Sequence, residues 1–158
     1  MNITITIYSE NKPGVLYRIA NLFLRRKVNI ESLTVSEIKS EDRSRFTIVV
    51  KEDLSLVAKI AKQLERIIEV SSVEIHTDNE LIFKDAALIK ISKNPKVVKK
   101  LDSIISLLKA SIAYQNDKYI IIEKLGTEED IDLLVSTLEP FVKETVKSGR
   151  IALPKNGQ

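Results

Sequence analysis

The sequence predicts an α+β protein made of two ferredoxin-like βαββαβ units, each an antiparallel sheet with helices on one face. Three observations lead to this prediction. Some segments alternate apolar and polar residues, as half-buried strands do, and others repeat apolar residues every three or four positions, as amphipathic helices do. The order of these segments in the first half of the chain then recurs in the second half. A duplicated unit follows.

The first half contains four predicted strands and two predicted helices. Ile3, Ile5 and Ile7 alternate with threonines in the first strand, and an apolar stripe from Val15 predicts the first helix. The segments NIESLTVSEI (29–38) and RFTIVV become strands on either side of the polar turn KSEDRS. A second apolar stripe over 56–68 predicts a helix, and VSSVEIHT closes the half as a strand.

The second half repeats this order. AALIKIS reads as a strand, and Pro95 suits the first turn of the following helix, where its missing N–H is not needed. ASIAYQNDKYIIIEKL predicts a hairpin that turns at Asn116 and Asp117. Thr127, followed by acidic residues, is a predicted N-cap of the last helix, and VKETVKSGRIAL supplies the last strand.

The predicted domains are residues 1–78 and 83–158, separated near TDNELIFKD. Each has about 75 residues, a size at which one core supplies only about 3–5 kcal/mol of stability. Such a unit covers one sheet face with helices and leaves other surfaces exposed. We therefore expect association through those surfaces, at least to a homodimer.

Composition restricts the classes of function. The chain has 158 residues with 44% hydrophobic and 30% charged residues, as expected of a folded globular protein. It contains no cysteine, so neither disulfides nor thiolate chemistry is available. The sequence shows no signal-peptide pattern and no apolar run of the length that spans a membrane, so we expect a cytoplasmic protein without membrane association.

Catalytic motifs are lacking in the sequence. His76 is its single histidine and lies near the end of a predicted strand, where a structural role is the more common one. The four glycines are dispersed and form no phosphate-binding loop, and no grouping of residues indicates a metal site. The sequence favours a binding protein over an enzyme.

A turn leading into the first helix is the best candidate for a binding site. YSENKPGVLYRIANLF places Asn11, Pro13 and Gly14 between a strand and a helix, where backbone N–H groups lack partners and can receive an anion. A purely structural interpretation also exists. Asn11 would then cap the helix, and Gly14 would only permit the turn.

The tightest basic cluster is Arg25, Arg26 and Lys27 at the end of the first helix. Cations there oppose the negative end of the helix dipole. Nucleic-acid binding is the less favoured interpretation, because a larger footprint with stacking aromatics is usual. It would use this cluster together with three lysines: Lys96, Lys99 and Lys100.

ENKPGVLYRIANLFLRRKVNIESLTV resembles the signature of the small regulatory subunit of acetolactate synthase (acetohydroxyacid synthase). The resemblance continues through SRFTIVV and IAKQLERIIEV and returns in GTEEDIDLLVSTLEPFVKETVKSGRIAL. It implies an N-terminal ACT domain over 1–78 and a C-terminal ferredoxin-like domain over 83–158. It also implies a non-catalytic chain without a cofactor of its own. Thiamine diphosphate, Mg and FAD would lie on the catalytic large subunit.

In that family the small subunit binds the large subunit, raises its activity and confers feedback inhibition by valine bound at the interface of two ACT domains. The motif match implies that effector-binding residues come from both protomers of a homodimer, with Asn11, Gly14, Val15 and Leu16 from one and Asn29 and Ile30 from the other. Leucine and isoleucine remain alternative effectors. A stand-alone ACT-type amino-acid sensor acting on another partner is the alternative function.

Overall fold

The computed structural model describes residues 2–156 and shows the duplicated βαββαβ order. The first set is β1 (Asn2–Glu10), α1 (Val15–Arg25), β2 (Ser32–Ile38), β3 (Arg43–Lys51), α2 (Leu54–Leu64) and β4 (Val70–Thr77). The second set is β5 (Leu81–Ser92), α3 (Pro95–Leu107), β6 (Ser111–Gln115), β7 (Tyr119–Gly126), α4 (Glu128–Leu138) and β8 (Val142–Pro154).

Each set forms one four-stranded sheet. The strand orders are β2-β3-β1-β4 and β6-β7-β5-β8, so equivalent strands occupy equivalent places. β1 pairs antiparallel with β3 and β4, and β7 pairs antiparallel with β5 and β6. The predicted α+β class and the two ferredoxin-like units are confirmed.

The chain divides into two compact units. The first comprises the residues up to Phe83 together with those from Arg150 onward, and the second comprises Lys84–Gly149. The first unit therefore contains two separate stretches of sequence. Residues from Arg150 onward fall in the 83–158 domain that the sequence predicts, yet their contacts group them with the N-terminal part of the chain.

The core of the first unit lies between one sheet face and the two helices. Ile3, Ile5 and Ile7 of β1 are fully buried there, and they pack with Ile19 and Phe23 of α1 among others. Ile-rich strands suit this packing because β-branched side chains fit a pleated, half-buried surface. The isoleucines of β1 face the core as predicted, but the expectation of a half-buried strand is wrong, because Thr4 and Thr6 on the other face are buried too.

The opposite face of this sheet carries threonines that are also buried, including Thr4 and Thr6. Residues 150–152 contact this face. The Arg150 backbone N–H donates to Ser32 Oγ at 2.9 Å, and its carbonyl accepts from Thr34 Oγ1 at 2.7 Å. Arg45 donates to the carbonyl of Ala152. This segment satisfies polar groups of the sheet that would otherwise need water.

The second unit has a separate core of the same design. Ile89, Ile91, Ile120 and Ile122 of the central strands pack against α3 and α4. Pro95 is at the first position of α3, as predicted, and Asn94 caps this helix by accepting from Lys96 N at 2.9 Å.

The strand starts that differ most from the predictions are those of β2, β3 and β5. β3 begins at Arg43, within the predicted turn KSEDRS. β2 begins at Ser32, three residues after the predicted 29, because 29–31 form the exit from α1. β5 begins at Leu81, whereas the sequence predicts a linker through TDNELIFKD and a strand from 86. Leu81 is buried and belongs to the strand, so the connection shrinks to the short 3-10 turn Asp78–Glu80.

Candidate functional site

The turn before α1 holds a glycine in a conformation that other residues rarely adopt. Gly14 has φ 86° and occupies the N-cap position of α1, with no side chain capping the helix. A Cβ built on Gly14 would meet no atom within 4 Å, so the space beside it is open. Among the described residues, the backbone N–H groups of Leu16 and Tyr17 have no acceptor. The open space beside Gly14 therefore adjoins backbone N–H groups that are free to bind a ligand.

Asn11 is fixed at the entrance to this turn by two neighbouring strands. Its side-chain oxygen accepts from Ser44 Oγ at 3.0 Å, and its amide donates to Glu37 Oε1 at 3.2 Å. Its backbone N–H donates to the carbonyl of Asp42. Asn11 therefore does not cap α1; it connects the turn to β2 and β3. Glu37 is exposed, so its carboxylate remains accessible from solvent.

Lys12 adds positive charge beside Gly14. Its ammonium forms an ion pair with Glu10. The hydrogen bond to Glu10 and the charge of that carboxylate raise the pKa of Lys12, so the ammonium stays protonated. Glu10 balances this charge, so the preference for an anion comes from the positive end of the α1 dipole, which has no acidic residue in its first turn.

The two apolar residues predicted beside Gly14 lie in different environments. Val15 is only 1% exposed and belongs to the hydrophobic core of its own chain. Val15 contributes only its backbone N–H to the turn, and the distance from this nitrogen to the Lys12 carbonyl oxygen is long, at 3.5 Å. Leu16 is about half exposed and is available for contact with a ligand or another chain.

Asn29 and Ile30 lie beyond the other end of α1. The Asn29 amide donates to Glu31 Oε1 at 2.9 Å and is exposed, while Ile30 packs partly against the core. Lys27, with φ 56°, turns the chain out of the helix in the left-handed conformation typical of a helix end. The eleven residues of α1 span about 16 Å, so a single chain does not bring Asn29 to Gly14.

Residues 2–156 contain no group of three His, Asp or Glu side chains that could hold a metal ion. Nδ1 of His76 is buried in β4 and has no hydrogen-bond partner in this part of the chain. No helix within the described residues is long and apolar enough to cross a membrane.

Comparison with known proteins extends over both units. Residues 5–72 match the family described as "AHAS small subunit-like ACT domain", and residues 84–156 match "Small subunit of acetolactate synthase". An acetolactate synthase small subunit of Mycobacterium bovis is 33% identical over 153 residues, which covers 96% of this chain and 91% of the relative. The chain belongs to the acetolactate synthase small subunit family.

Further relatives agree with this membership. An acetolactate synthase small subunit of Bacillus subtilis is 32% identical, covering 100% of this chain and 93% of the relative. The crystal structure of an acetolactate synthase small subunit from Thermotoga maritima superposes with a TM-score of 0.90 at 27% identity, covering 100% of this chain and 99% of that one. The resemblance seen in the sequence is confirmed.

Membership in the acetolactate synthase small subunit family supports a regulatory, non-catalytic role. A small subunit also implies a catalytic large subunit as its partner. The first family match contains all six predicted effector-binding residues and identifies the N-terminal part as an ACT domain.

Sequence reasoning missed the residues that hold Asn11. Glu37 and Ser44 are 26 and 33 positions away from it along the chain. The pairing of β1 with β3 brings Ser44 to Asn11, and the pairing of β2 with β3 places Glu37 beside Ser44. No local motif signals such contacts.

Proposed function

We propose that this chain binds the catalytic subunit of acetolactate synthase, raises its activity and makes it sensitive to a branched-chain amino acid, valine in the first instance. The effector lies between the ACT domains of two protomers. The observation that carries this proposal is the uncapped start of α1 at Gly14, with open space and free N–H donors beside it. This is a receptor for the α-carboxylate of an amino acid.

The need for two protomers is supported by the distance along α1. Gly14 and Asn29 stand at opposite ends of an eleven-residue helix, so both can contact one ligand only if they come from different chains. Leu16 and Val35, each about half exposed on α1 and β2, provide apolar surface for such a contact. The proposed site is therefore completed by the homodimer.

The ligand's other groups also have complementary residues. Glu37 accepts a hydrogen bond from the Asn11 amide, and its exposed carboxylate is the group we expect to receive the α-ammonium. Leu16 and Ile30 provide apolar contacts for a branched side chain. Each buried CH₂ contributes about 0.8 kcal/mol, so valine would gain roughly 1.6 kcal/mol over alanine.

Feedback follows from differential binding. A ligand held by two protomers stabilises the relative arrangement that fits it best, and it shifts the equilibrium only by its difference in affinity between arrangements. The large subunit would respond to that arrangement. Thiamine diphosphate, Mg and FAD would belong to this cytoplasmic partner, and this chain would supply the sensor.

The test compares Gly14→Asp with Gly14→Asn. Both side chains have the same shape and both tolerate the left-handed conformation, so they differ mainly in charge. Two like charges about 4 Å apart repel by about 4 kcal/mol at an effective dielectric constant of 20. We expect Gly14→Asp to abolish saturable valine binding in calorimetry and valine inhibition of the reconstituted holoenzyme, while Gly14→Asn retains much of both.

Leucine, isoleucine and alanine are titrated alongside valine to identify the effector. Equal valine sensitivity of wild type and Gly14→Asp in the holoenzyme would overturn the proposed site. Failure of the chain to associate with an acetolactate synthase large subunit, or to change its activity, would overturn the proposed function.

A further inference from the structure

A groove between α1 and α2 contains three arginines and no acidic residue in its lining. Arg18 and Arg25, seven positions apart, lie on one side of α1, and Arg66 lies in the turn that follows α2. Asn21 and Gln63 add two side-chain amides, and the groove encloses about 210 Å³. The remaining lining is apolar, from Leu22 and Ile67. We call this the arginine groove.

The polar lining consists almost entirely of hydrogen-bond donors. A guanidinium has five N–H donors and no acceptor, and it stays protonated at any physiological pH. The lining residues carry a formal charge of +3 from the arginines. The amides of Asn21 and Gln63 can each add donors. The complementary ligand is an anion with several acceptor oxygens.

Two of the three arginines have no partner of their own. Arg18 donates to Glu69 at 2.6 Å, so part of its charge is balanced. Within the described part of the chain, the guanidinium groups of Arg25 and Arg66 form no hydrogen bond or ion pair, although the Arg66 backbone N–H donates to the Gln63 carbonyl. Gln63 already accepts a hydrogen bond from Arg26 Nε at 3.4 Å, which leaves its amide N–H groups available. Arg25, Arg66 and Gln63 thus provide free hydrogen-bond donors among the residues that line the groove.

We propose that the arginine groove binds the diphosphate group of a small phosphate-bearing ligand. Arginine pairs bidentately with phosphate oxygens, and the negative charge of a diphosphate complements the unpaired guanidinium groups of Arg25 and Arg66 beside the Glu69-paired Arg18. The groove's volume suits a group of this size. No aromatic side chain lines the groove, so base stacking, which nucleic-acid strands commonly use, is not supplied.

This site is independent of the proposed effector site. It uses the side of α1 and the turn that follows α2, whereas the effector site uses the turn before α1 and free backbone N–H groups. A diphosphate ligand would therefore be a second signal on the same ACT domain. The proposal does not depend on valine binding or on the catalytic partner.

The experiment is calorimetric titration of the full chain with inorganic pyrophosphate and with ADP, at an ionic strength of about 0.15 M, where charges more than about 8 Å apart are screened. The variants are Arg25→Gln and Arg66→Gln. The matched control is Arg43→Gln, which removes the same charge from an exposed arginine paired with Glu41 on β3. Glutamine is a good helix former, so α1 should keep its structure in Arg25→Gln, while Arg66→Gln changes an exposed turn residue outside α2.

We expect saturable binding with one site per chain, weakened about tenfold in each groove variant and unchanged in Arg43→Gln. Equal affinities for pyrophosphate and ADP would assign the binding to the diphosphate alone, and tighter binding of ADP would show that a nucleoside adds contacts. Absence of saturable binding to both, or equal weakening in all three variants, would overturn the proposal. Thermal unfolding of each variant checks that the fold is intact.

Discussion

Arg150 brings a full positive charge into the first unit, with only 4% of the residue exposed. Its Nη1 donates to Asp78 Oδ1 at 2.5 Å and to Thr4 Oγ1 at 3.0 Å, and its guanidinium carbon lies 3.9 Å from the centre of the Phe83 ring. A buried charge is costly unless it is paired and hydrogen-bonded. Asp78 supplies the counter-charge, and Thr4 and Phe83 complete the surroundings.

The two partners of this ion pair should differ in the cost of their removal. Asp78→Ala leaves a buried guanidinium without counter-charge, whereas Arg150→Leu leaves an aspartate that water can reach, since 38% of the Asp78 side chain is exposed. We expect Asp78→Ala to lower the free energy of unfolding by about 2–3 kcal/mol, less than the 3–5 kcal/mol of a fully buried pair. Arg150→Leu should cost about 1–2 kcal/mol.

Urea unfolding of both variants provides the measurement, and Arg43→Leu at an exposed position is the control, with an expected change within about 0.5 kcal/mol. A larger loss in Arg150→Leu than in Asp78→Ala would contradict this account of the buried charge.

For single residues, the sequence predicts which residue types form the site but not which atoms they contact. Asn11 and Gly14 stand in a recognisable turn motif, and the structure places them there. That Asn11 bonds to Glu37 and Ser44, and that Arg150 reaches Thr4, depends on pairings across 26 to 146 positions of sequence. Periodicity carries no information about such partners. Val15 follows the helical pattern of a core residue, and its burial agrees with that pattern rather than with a pocket.

Helix α4 is stabilised by a reciprocal cap at its start. Thr127 Oγ1 accepts from Asp130 N at 3.2 Å, and Asp130 Oδ2 accepts from Thr127 N at 2.8 Å. The predicted N-cap is confirmed, and the returning aspartate completes a capping box. Gly126 precedes the box because a Cβ there would come within 2.7 Å of Asp130 Cβ.

This box should make the stability of the second unit depend on acidity. The hydrogen bond from Thr127 N, with smaller contributions from the Thr127 hydroxyl, Lys124 and Lys84, lowers the pKa of Asp130 below its usual 3.8. A lowered pKa in the folded state adds stability above the unfolded pKa, and this stability is lost as pH falls through the folded pKa.

We therefore expect Asp130→Asn to reduce the free energy of unfolding by about 1 kcal/mol at neutral pH. The difference from wild type should shrink as pH falls from about 5 to below 3.8, since the wild-type aspartate is then protonated. Denaturant unfolding over this pH range measures it. Asp102→Asn, within α3 and outside any capping motif, is the control. A difference that stays constant with pH would contradict the assigned cause.

The elements themselves were largely predictable from local chemistry. Alternation in β1, the apolar stripe of α1, Pro95 in α3 and the Asn116 turn appear where the sequence places them. The predicted stripe of α2 is too long, because the helix ends at Leu64 and Ile68 is 93% exposed. The start of β5 was not predictable in the same way. Leu81 joins the strand because the folded unit buries it, and its polar neighbours at 77–80 and 84–85 hide that strand from a periodicity analysis.

At the scale of the whole molecule, the first unit leaves several large apolar side chains exposed to solvent. Tyr17 and Leu24 of α1 are about three-quarters exposed, and Val35 of the edge strand β2 is about half exposed. Surface of this kind marks association sites, and a charge on an edge strand opposes pairing between chains. We therefore propose that the homodimer forms its apolar contacts through this surface.

Val35→Lys should convert the dimer to a monomer and remove effector binding, because the second half of the site would then be missing. The control is Ile68→Lys, which places the same charge at a 93% exposed position between α2 and β4. Light scattering gives the mass, and calorimetry with valine gives the binding. A dimer that persists in Val35→Lys, or is lost equally in the control, would contradict this interface.

The division of the first unit into two stretches of sequence has a consequence for biosynthesis. A ribosome releases residues 2–83 long before residues 150–154, with all of the second unit made in between. Until then the nascent ACT sheet lacks Arg150, the partner of Asp78 and Thr4. The first unit therefore acquires this buried ion pair only after the second unit has been synthesised.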